Sequence, residues 1–442
     1  MWLKSPAFET LRRFNANDNL YYNHAQVAAP MNDFQAIARK ITTILFAQQS
    51  LASAGFIAAS TLNAIVGNEL THHSDWAGVP SAVYNLAGAL AAFAWGYVFD
   101  AFGRRKGLTG GLLLGVLGSG VAFLAIARAT FPGFLVGMVL MGMANSAVQL
   151  GRFAAAEVNL PENRGKAISN VVLGGTVGSI VGPFVAGPAG AFIKSLGVNE
   201  LAGAYLVSML LFAAAALVVF SGLRPDPREI GRALAAQFQV SGAPEKDARG
   251  VLEIFRNRTA RTALIAMVLG QLVMVLVMVI TSLHMRNHDH GLSDISLVIS
   301  SHTFGMYAFS IISGRLIDRW GRRPVIIAGA LILEASCVFA TFSPDVLPLG
   351  IALFLLGLGW NFCFVGGSTL LADQLTPAER ARTQGFNDLL VGLSSAAGSL
   401  SSGFIFATLG YNSMAWIAAA ISALPALSAL FWIKNAPRPV AA

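Results

Sequence analysis

Charge is what this sequence has least of. Asp, Glu, Lys and Arg make up 12% of its 442 residues, about half of the ~25% found in soluble domains. With 55% hydrophobic residues and a mean hydropathy of +0.63, too little polar surface remains to wrap one or two soluble cores. That excludes a cytosolic enzyme, a disordered scaffold and a nucleic-acid binder. The formal charge of +8 does not reverse the conclusion, because the basic residues sit in short clusters between long apolar runs. Cysteine is equally scarce. Cys337 and Cys363 both fall inside apolar runs, which leaves neither a disulfide framework nor a metal-binding pattern. No G-x4-G-K-[ST] phosphate loop is present, so transport driven by ATP is not expected. No nucleophile–base or metal-ligand spacing occurs in a pocket-forming segment, so neither an enzyme nor a cofactor or metal is called for. Glycine, by contrast, is plentiful at 45 residues, and small residues let membrane helices approach closely.

A helix needs about 20 apolar residues to cross the hydrocarbon core. Such runs occur near 41–67, 76–100, 106–127, 132–158, 167–193, 202–222, 259–284, 293–317, 323–342, 346–372, 383–408 and 411–433. The expected fold is an all-α membrane protein with twelve transmembrane helices in two six-helix bundles, 41–222 and 259–434. Residues 1–40 read as a soluble tail without a cleavage signal. Residues 223–258, with mixed charge and three prolines, read as a linker, and 435–442 as a short C-terminal tail. Twelve crossings leave only Arg128, Lys194 and Arg286 of the 30 Lys and Arg on the side opposite the N-terminus. The excess of positive charge marks the cytoplasm, so both termini and the linker are expected there, in an inner or plasma membrane.

An internal repeat supports two halves of common design. Gly96, Asp100, Gly103, Arg104 and Arg105 recur as Gly314, Asp318, Gly321, Arg322 and Arg323, shifted by 218 positions. Glu157, Pro161 and Arg164 recur as Asp373, Pro377 and Arg380, and Asn145 as Asn361, shifted by 216. These motifs resemble those of the major facilitator superfamily, and the resemblance covers nearly the whole chain. It implies two six-helix bundles around a cavity that opens alternately to either side. It also implies that Asp100 meets the N-terminal end of helix eleven, near Thr383, when the cytoplasmic side is closed. Arg104 and Arg105 can then pair with Glu157, giving a cytoplasmic latch. Arg152, further along helix four, lies within reach of Glu157, and an ion pair between them is expected.

The fifth helix carries Gly178-x3-Gly182-Pro183-x2-Ala186-Gly187, similar to the family's antiporter motif, which implies proton-coupled export. Drug-exporting relatives carry an arginine early in helix four, where this sequence has Met138. The alternatives are proton-linked uptake of a nutrient or vitamin, and a non-transporting receptor of the same fold. Ionisable groups within crossings are costly and are functional candidates. His302, Asp388 and Glu334 are therefore the candidates for proton coupling, with a neutral, carbonyl-bonded histidine as the alternative for His302, and a capping or latch contact for Asp388. In the family, helices one, four, seven and ten line the cavity. That points to Gln48, Gln49, Asn63, Asn145, Gln149, Gln271, Trp360 and Asn361, and Trp360 with Phe362 and Phe364 suggests an aromatic or amphipathic solute. His72, His73 and Asp75 in one outer loop, and His284, His288, Asp289 and His290 in its counterpart, read as solvated loop residues; metal binding is the lesser alternative. The expected partners are a small-molecule substrate, protons and membrane lipid, with the protein acting as a monomer.

Overall fold

The structure is a computed structural model that describes residues 24–160, 163–237 and 249–432. Ten of its helices are long and apolar enough to cross a membrane. The last of these, Arg382–Phe431, is two helices that meet at Gly410, whose φ of 80° and ψ of 173° only glycine adopts readily. The helix Arg322–Phe339 has 18 residues, about 27 Å, and completes the crossing set. Among the described residues there are thus twelve crossings. They are α1 (Gln35–Thr71), α2 (Ser74–Phe102), α3 (Arg104–Ala127), α4 (Phe131–Glu157), α5 (Lys166–Ser195) and α6 (Ala202–Gly222) in the first half. The second half holds α7 (Arg258–Arg286), α8 (Leu292–Trp320), α9 (Arg322–Phe339), α10 (Val346–Ala372), α11 (382–409) and α12 (411–431).

Two stretches expected to be tail and linker are partly ordered. The first helix begins at His24, so residues 24–40 extend α1. Between the halves, Pro227–Gln237 forms an amphipathic helix that buries Ile230 and Leu234 against the first half. Its neighbour Asp226 accepts hydrogen bonds from the Arg104 and Arg105 amides at 3.1 and 3.0 Å, satisfying open donors at the start of α3. A Cβ on Gly103 would stand 2.6 Å from that carboxylate, and Gly103 itself has φ +89°. Both the turn and the capping acid need glycine there.

The halves repeat in packing as they do in sequence. α1 packs on α5 as α7 packs on α11, and α3 on α4 as α9 on α10. Gly103 and Gly321 share nearly one backbone geometry, φ 89° and 90° with ψ 170° in both. The halves meet where α5 lies on α8 and α2 on α11, contacts that exchange under the repeat.

Candidate functional site

The contacts that join the halves run from mid-membrane toward the face opposite the linker, here the distal face. Near mid-membrane, Thr303 Oγ1 on α8 donates to the Ser179 carbonyl on α5 at 3.1 Å. On the other seam, a Cβ on Gly392 of α11 would stand 3.2 Å from Ala89 of α2, and Asn85 Nδ2 donates to Ser399 Oγ at 3.3 Å. Further out, backbones touch. A Cβ on Gly78 would collide with the Ser399 carbonyl, and one on Gly403 would stand 2.8 Å from the Asp75 carbonyl. An ion pair, Arg286 Nη2 to Glu200 Oε1 at 2.5 Å, ties the outer loops of the two halves. The distal side is therefore closed.

Toward the linker face the seam parts into a cleft. Asp388, Gly392, Ser395 and Ser399 share one face of α11, at intervals of four, three and four residues. Gly392 and Ser399 of that face touch α2, so Asp388, a turn closer to the linker face and exposed, points into the opening. Ser395 accepts a hydrogen bond from Gln271 Nε2 at 2.8 Å, and Gln271 Oε1 accepts one from Trp360 Nε1 at 2.7 Å. The Trp360 ring stacks on Phe364 with centroids 4.9 Å apart and meets Tyr307 edge-on at 6.4 Å. α7, α8, α10 and α11 thus build one aromatic wall held by a fixed hydrogen-bond chain.

The opposite wall comes from the first half. Asn145, Gln149 and Arg152 form one stripe on α4; Gln149 is exposed, and the other two are half-buried. Arg152 faces the second half closely enough for its charge to act on Asp388. Its Nε finds no hydrogen-bond partner among the described residues, and its guanidinium lies 5.0 Å from the Phe153 ring. Among the described residues neither side-chain polar atom of fully buried Gln48 has a partner either. A Cβ on Gly151 would stand 3.0 Å from Gln48 Oε1, which places this amide at the break in α4 after Leu150. Tyr84, edge-on to Phe56 at 6.2 Å, extends this wall toward the distal seal. Exposed Gln149 and the half-buried Arg152 guanidinium form, with the aromatic wall, a surface that can hydrogen-bond and stack a planar solute.

Other sequence candidates serve packing. Asn63 is buried, donating to Ser81 Oγ and accepting from the Tyr205 hydroxyl at 2.8 Å. Asn361 is also buried and donates to the Met306 carbonyl and Ser310 Oγ, bridging the break in α8. Gln49 is 5% exposed, its amide 3.4 Å from Ser53 Oγ. His302 is fully buried between α8 and α10, its Nδ1 3.0 Å from the Leu353 carbonyl, and its Nε2 lacks a partner among the described residues. Glu334 is half-buried on α9. Of the coupling candidates, Asp388 alone stands in the cleft. In the fifth helix, a Cβ on Gly178 would run into the Ser50 carbonyl and one on Gly182 would stand 2.5 Å from the Ala54 carbonyl. Those glycines seat α5 on α1 within the first half. Gly187 differs, since a Cβ there would stand 2.9 Å from Ser293 Oγ of α8. Pro183 lies inside the continuous helix.

At the linker face, Arg104 pairs with Glu157 at 2.6 Å and with Asp100 at 3.0 Å, and Arg322 pairs with Asp373 at 2.8 Å. Arg105 does not reach Glu157. It donates to the Phe220 carbonyl at the end of α6, as Arg323 donates to the Leu430 carbonyl at the end of α12. Nor does Arg152 pair with Glu157, whose oxygens are taken by Arg104. Asp100 is 76% exposed, paired within its own half, so the contact to α11 is unmade in this conformation. Gly96, Gly314 and Asp318 lie in the same helix ends; Asp318 is exposed. Arg164 is exposed as well, and the Arg380 side chain lies outside the described residues.

On the distal face His284 stacks on Tyr411 at 4.0 Å and meets His288 at 4.5 Å, and His290 Nε2 lies 3.0 Å from the Pro344 carbonyl. Among the described residues no three His, Cys, Asp or Glu side chains are grouped to hold a metal.

Comparison with known proteins bears on this architecture. A family model described as Major Facilitator Superfamily matches residues 44–293 and 263–442. The chain is 34% identical to "Uncharacterized MFS-type transporter YdeG" of Bacillus subtilis, over 88% of this chain and 91% of that protein. It is 30% identical to "Riboflavin transporter RfnT" of Brucella anthropi, over 91% of this chain and 98% of that one. Identity to "Multi-drug resistance efflux pump PmrA" of Streptococcus pneumoniae is 26%, over 80% and 85%. Among solved structures, nucleoside transporter NupG superposes with a TM-score of 0.68 at 16% identity, covering 90% of this chain and all of that one.

Proposed function

The chain belongs to the Major Facilitator Superfamily and is a multi-pass membrane transporter rather than an enzyme, and we propose that it exports a small, planar, amphipathic organic compound in exchange for protons. The linker face is cytoplasmic on this reading, the membrane is a bacterial-type inner membrane, and the conformation described is open to the cytoplasm. The observation that carries the proposal is the pair of facing walls. Gln271, Trp360 and Phe364 give a stacking surface with fixed hydrogen-bonding groups, and Gln149 and Arg152 offer polar atoms opposite. A flat ring can slide against the tryptophan while its polar edge meets the amide and guanidinium. Asp388 supplies the coupling group. It stands in the cleft facing Arg152, where proton binding and substrate binding can compete for one carboxylate. Both walls of the cleft come from one chain, which supports a monomeric transporter.

Export is supported by the resemblance of the α5 glycine–proline segment to the antiporter motif, and by likeness to a multidrug efflux pump. Uptake of a vitamin-like compound is the second reading, favoured by likeness to a protein named as a riboflavin transporter. Purified protein in proteoliposomes loaded with a pH-sensitive dye separates them. Riboflavin and a panel of planar amphipathic compounds are added outside. Lumen alkalinisation follows from exchange, and acidification follows from symport and overturns export by antiport. No response to any compound counts against both, and favours a receptor of the same fold.

A further inference from the structure

Apart from the transport cleft the structure holds a second polar site, at the linker face. A cavity of about 570 Å³ opens at the linker face where the ends of α2 and α4 meet the linker helix Pro227–Gln237. Its charged lining is Arg104, Arg164, Arg228 and Arg232 against Asp100 and Glu157. Arg104 is fully engaged by both acids, so the excess positive charge lies with the other three arginines. Arg228 and Arg232 are four residues apart, on one face of a helix whose other face buries Ile230 and Leu234. The helix is thereby pinned with its guanidinium groups over the cavity. Gly231 makes room, since a Cβ there would stand 3.2 Å from Glu157 Cβ. Arg228 spends one bond on the Ala101 carbonyl at 3.3 Å, whereas Arg164 and Arg232 are exposed.

The setting is the membrane surface. Phe153 lines the cavity and is 47% exposed, and Phe102, at the end of α2, is 64% exposed. A ligand with an anionic group for the arginines and an acyl tail for these rings fits both features.

We propose that this cavity binds a phosphate group, that of an anionic membrane phospholipid, with Arg164, Arg228 and Arg232 as its ligands. Arginine is suited to this because its planar fork meets phosphate oxygens in pairs. Basic pockets at the ends of crossings on the cytoplasmic side are a known setting for lipid headgroups. Bound there, the phosphate stands beside the Arg104–Glu157 pair and adds to the hold between the linker helix and α4. The inference does not depend on the substrate or on the direction of transport.

The test uses the full chain in detergent. Phosphatidylglycerol, phosphatidylcholine and inorganic phosphate are titrated separately, with bound mass read by native mass spectrometry and stability by thermal unfolding. Phosphatidylglycerol is expected to bind at a saturable site and raise the unfolding midpoint, with the effect falling at high salt. Arg164→Gln and Arg232→Gln, both at exposed positions, should each weaken it roughly fivefold. Their unchanged midpoints in phosphatidylcholine alone show that they fold. Equal binding of phosphatidylcholine, or undiminished binding in both variants, overturns the site. Stabilisation by inorganic phosphate that matches phosphatidylglycerol and needs the same arginines overturns the lipid as its source.

Discussion

Trp360 is the residue on which substrate recognition turns, because its indole is held on two sides. Gln271 fixes the N–H and Phe364 backs the ring, so little ordering is needed when a solute stacks on it. Trp360→Ala should raise the half-saturation concentration about tenfold, ~1.4 kcal/mol. Trp360→Phe should recover part of that, since it keeps a ring and loses only the bond to Gln271. Rates of substrate exchange over a concentration series check both. The sequence already pointed to Trp360 and Gln271, because each is a polar or aromatic interruption of an apolar run. It could not separate them from Asn63 or Asn361, which interrupt their runs equally but bond to neighbouring helices. That difference lies in packing partners far along the chain. In sequence Asp388 lies among the first turns of helix eleven, where a capping or latch contact is the alternative to proton coupling. Its exposure, a turn beyond the α2–α11 contact at Gly392, is visible only in the fold.

At the scale of elements, the helices are joined by a few close approaches that can be broken singly. Gly178→Ala should destabilise the fold by about 1–3 kcal/mol, because its Cβ would meet the Ser50 carbonyl within van der Waals radii. A lower unfolding midpoint reads this out. The distal ion pair predicts a conformational effect instead. Glu200→Gln removes a half-buried pair with Arg286 and should increase the population open to the distal side, up to about fivefold. Faster labelling of a cysteine placed at Asn85 by a membrane-impermeant thiol reagent, in a background lacking Cys337 and Cys363, measures that shift. The linker is fastened to the second half by Arg249, which donates to Glu379 at 2.8 Å at the head of the α11 segment. The Arg249 hydrogen bond holds the Glu379 carboxyl well below the usual carboxylate range. A depressed carboxylate stabilises the fold above its unfolded value and loses that contribution as pH falls through the folded one. Hydrogen-exchange protection of residues 249–255 should therefore persist from pH 7 to below the ordinary value of 4.5, and be lost at all pH in Glu379→Gln. The motif spacing had marked Asp100, Glu157 and their repeats, whereas Glu379 and Asp226 belong to no repeat and only the folded linker shows their roles.

For the whole molecule, the repeat made most of the architecture legible. Twelve crossings and two halves follow from hydropathy, the charge asymmetry and paired motifs, because a membrane allows few other ways to satisfy the backbone. The conformational state was not legible, because one sequence serves every state of the cycle. Here the distal side is closed by backbone contacts and Glu200–Arg286, while Asp100 stands free of α11. Opening the distal side requires these to part and the linker-face latch to form. In the proposed cycle, substrate and proton are exchanged through one cleft in which Asp388 carries the proton. The decisive comparison is of substrate counterflow and substrate-driven lumen pH change in the same proteoliposomes, for the parent protein, Asp388→Asn and His302→Gln. Asp388→Asn should keep counterflow within about twofold and lose the pH change, while His302→Gln should keep both. A pH change that survives in Asp388→Asn and disappears in His302→Gln would contradict this cycle, and would move proton coupling from the cleft to the α8–α10 interface.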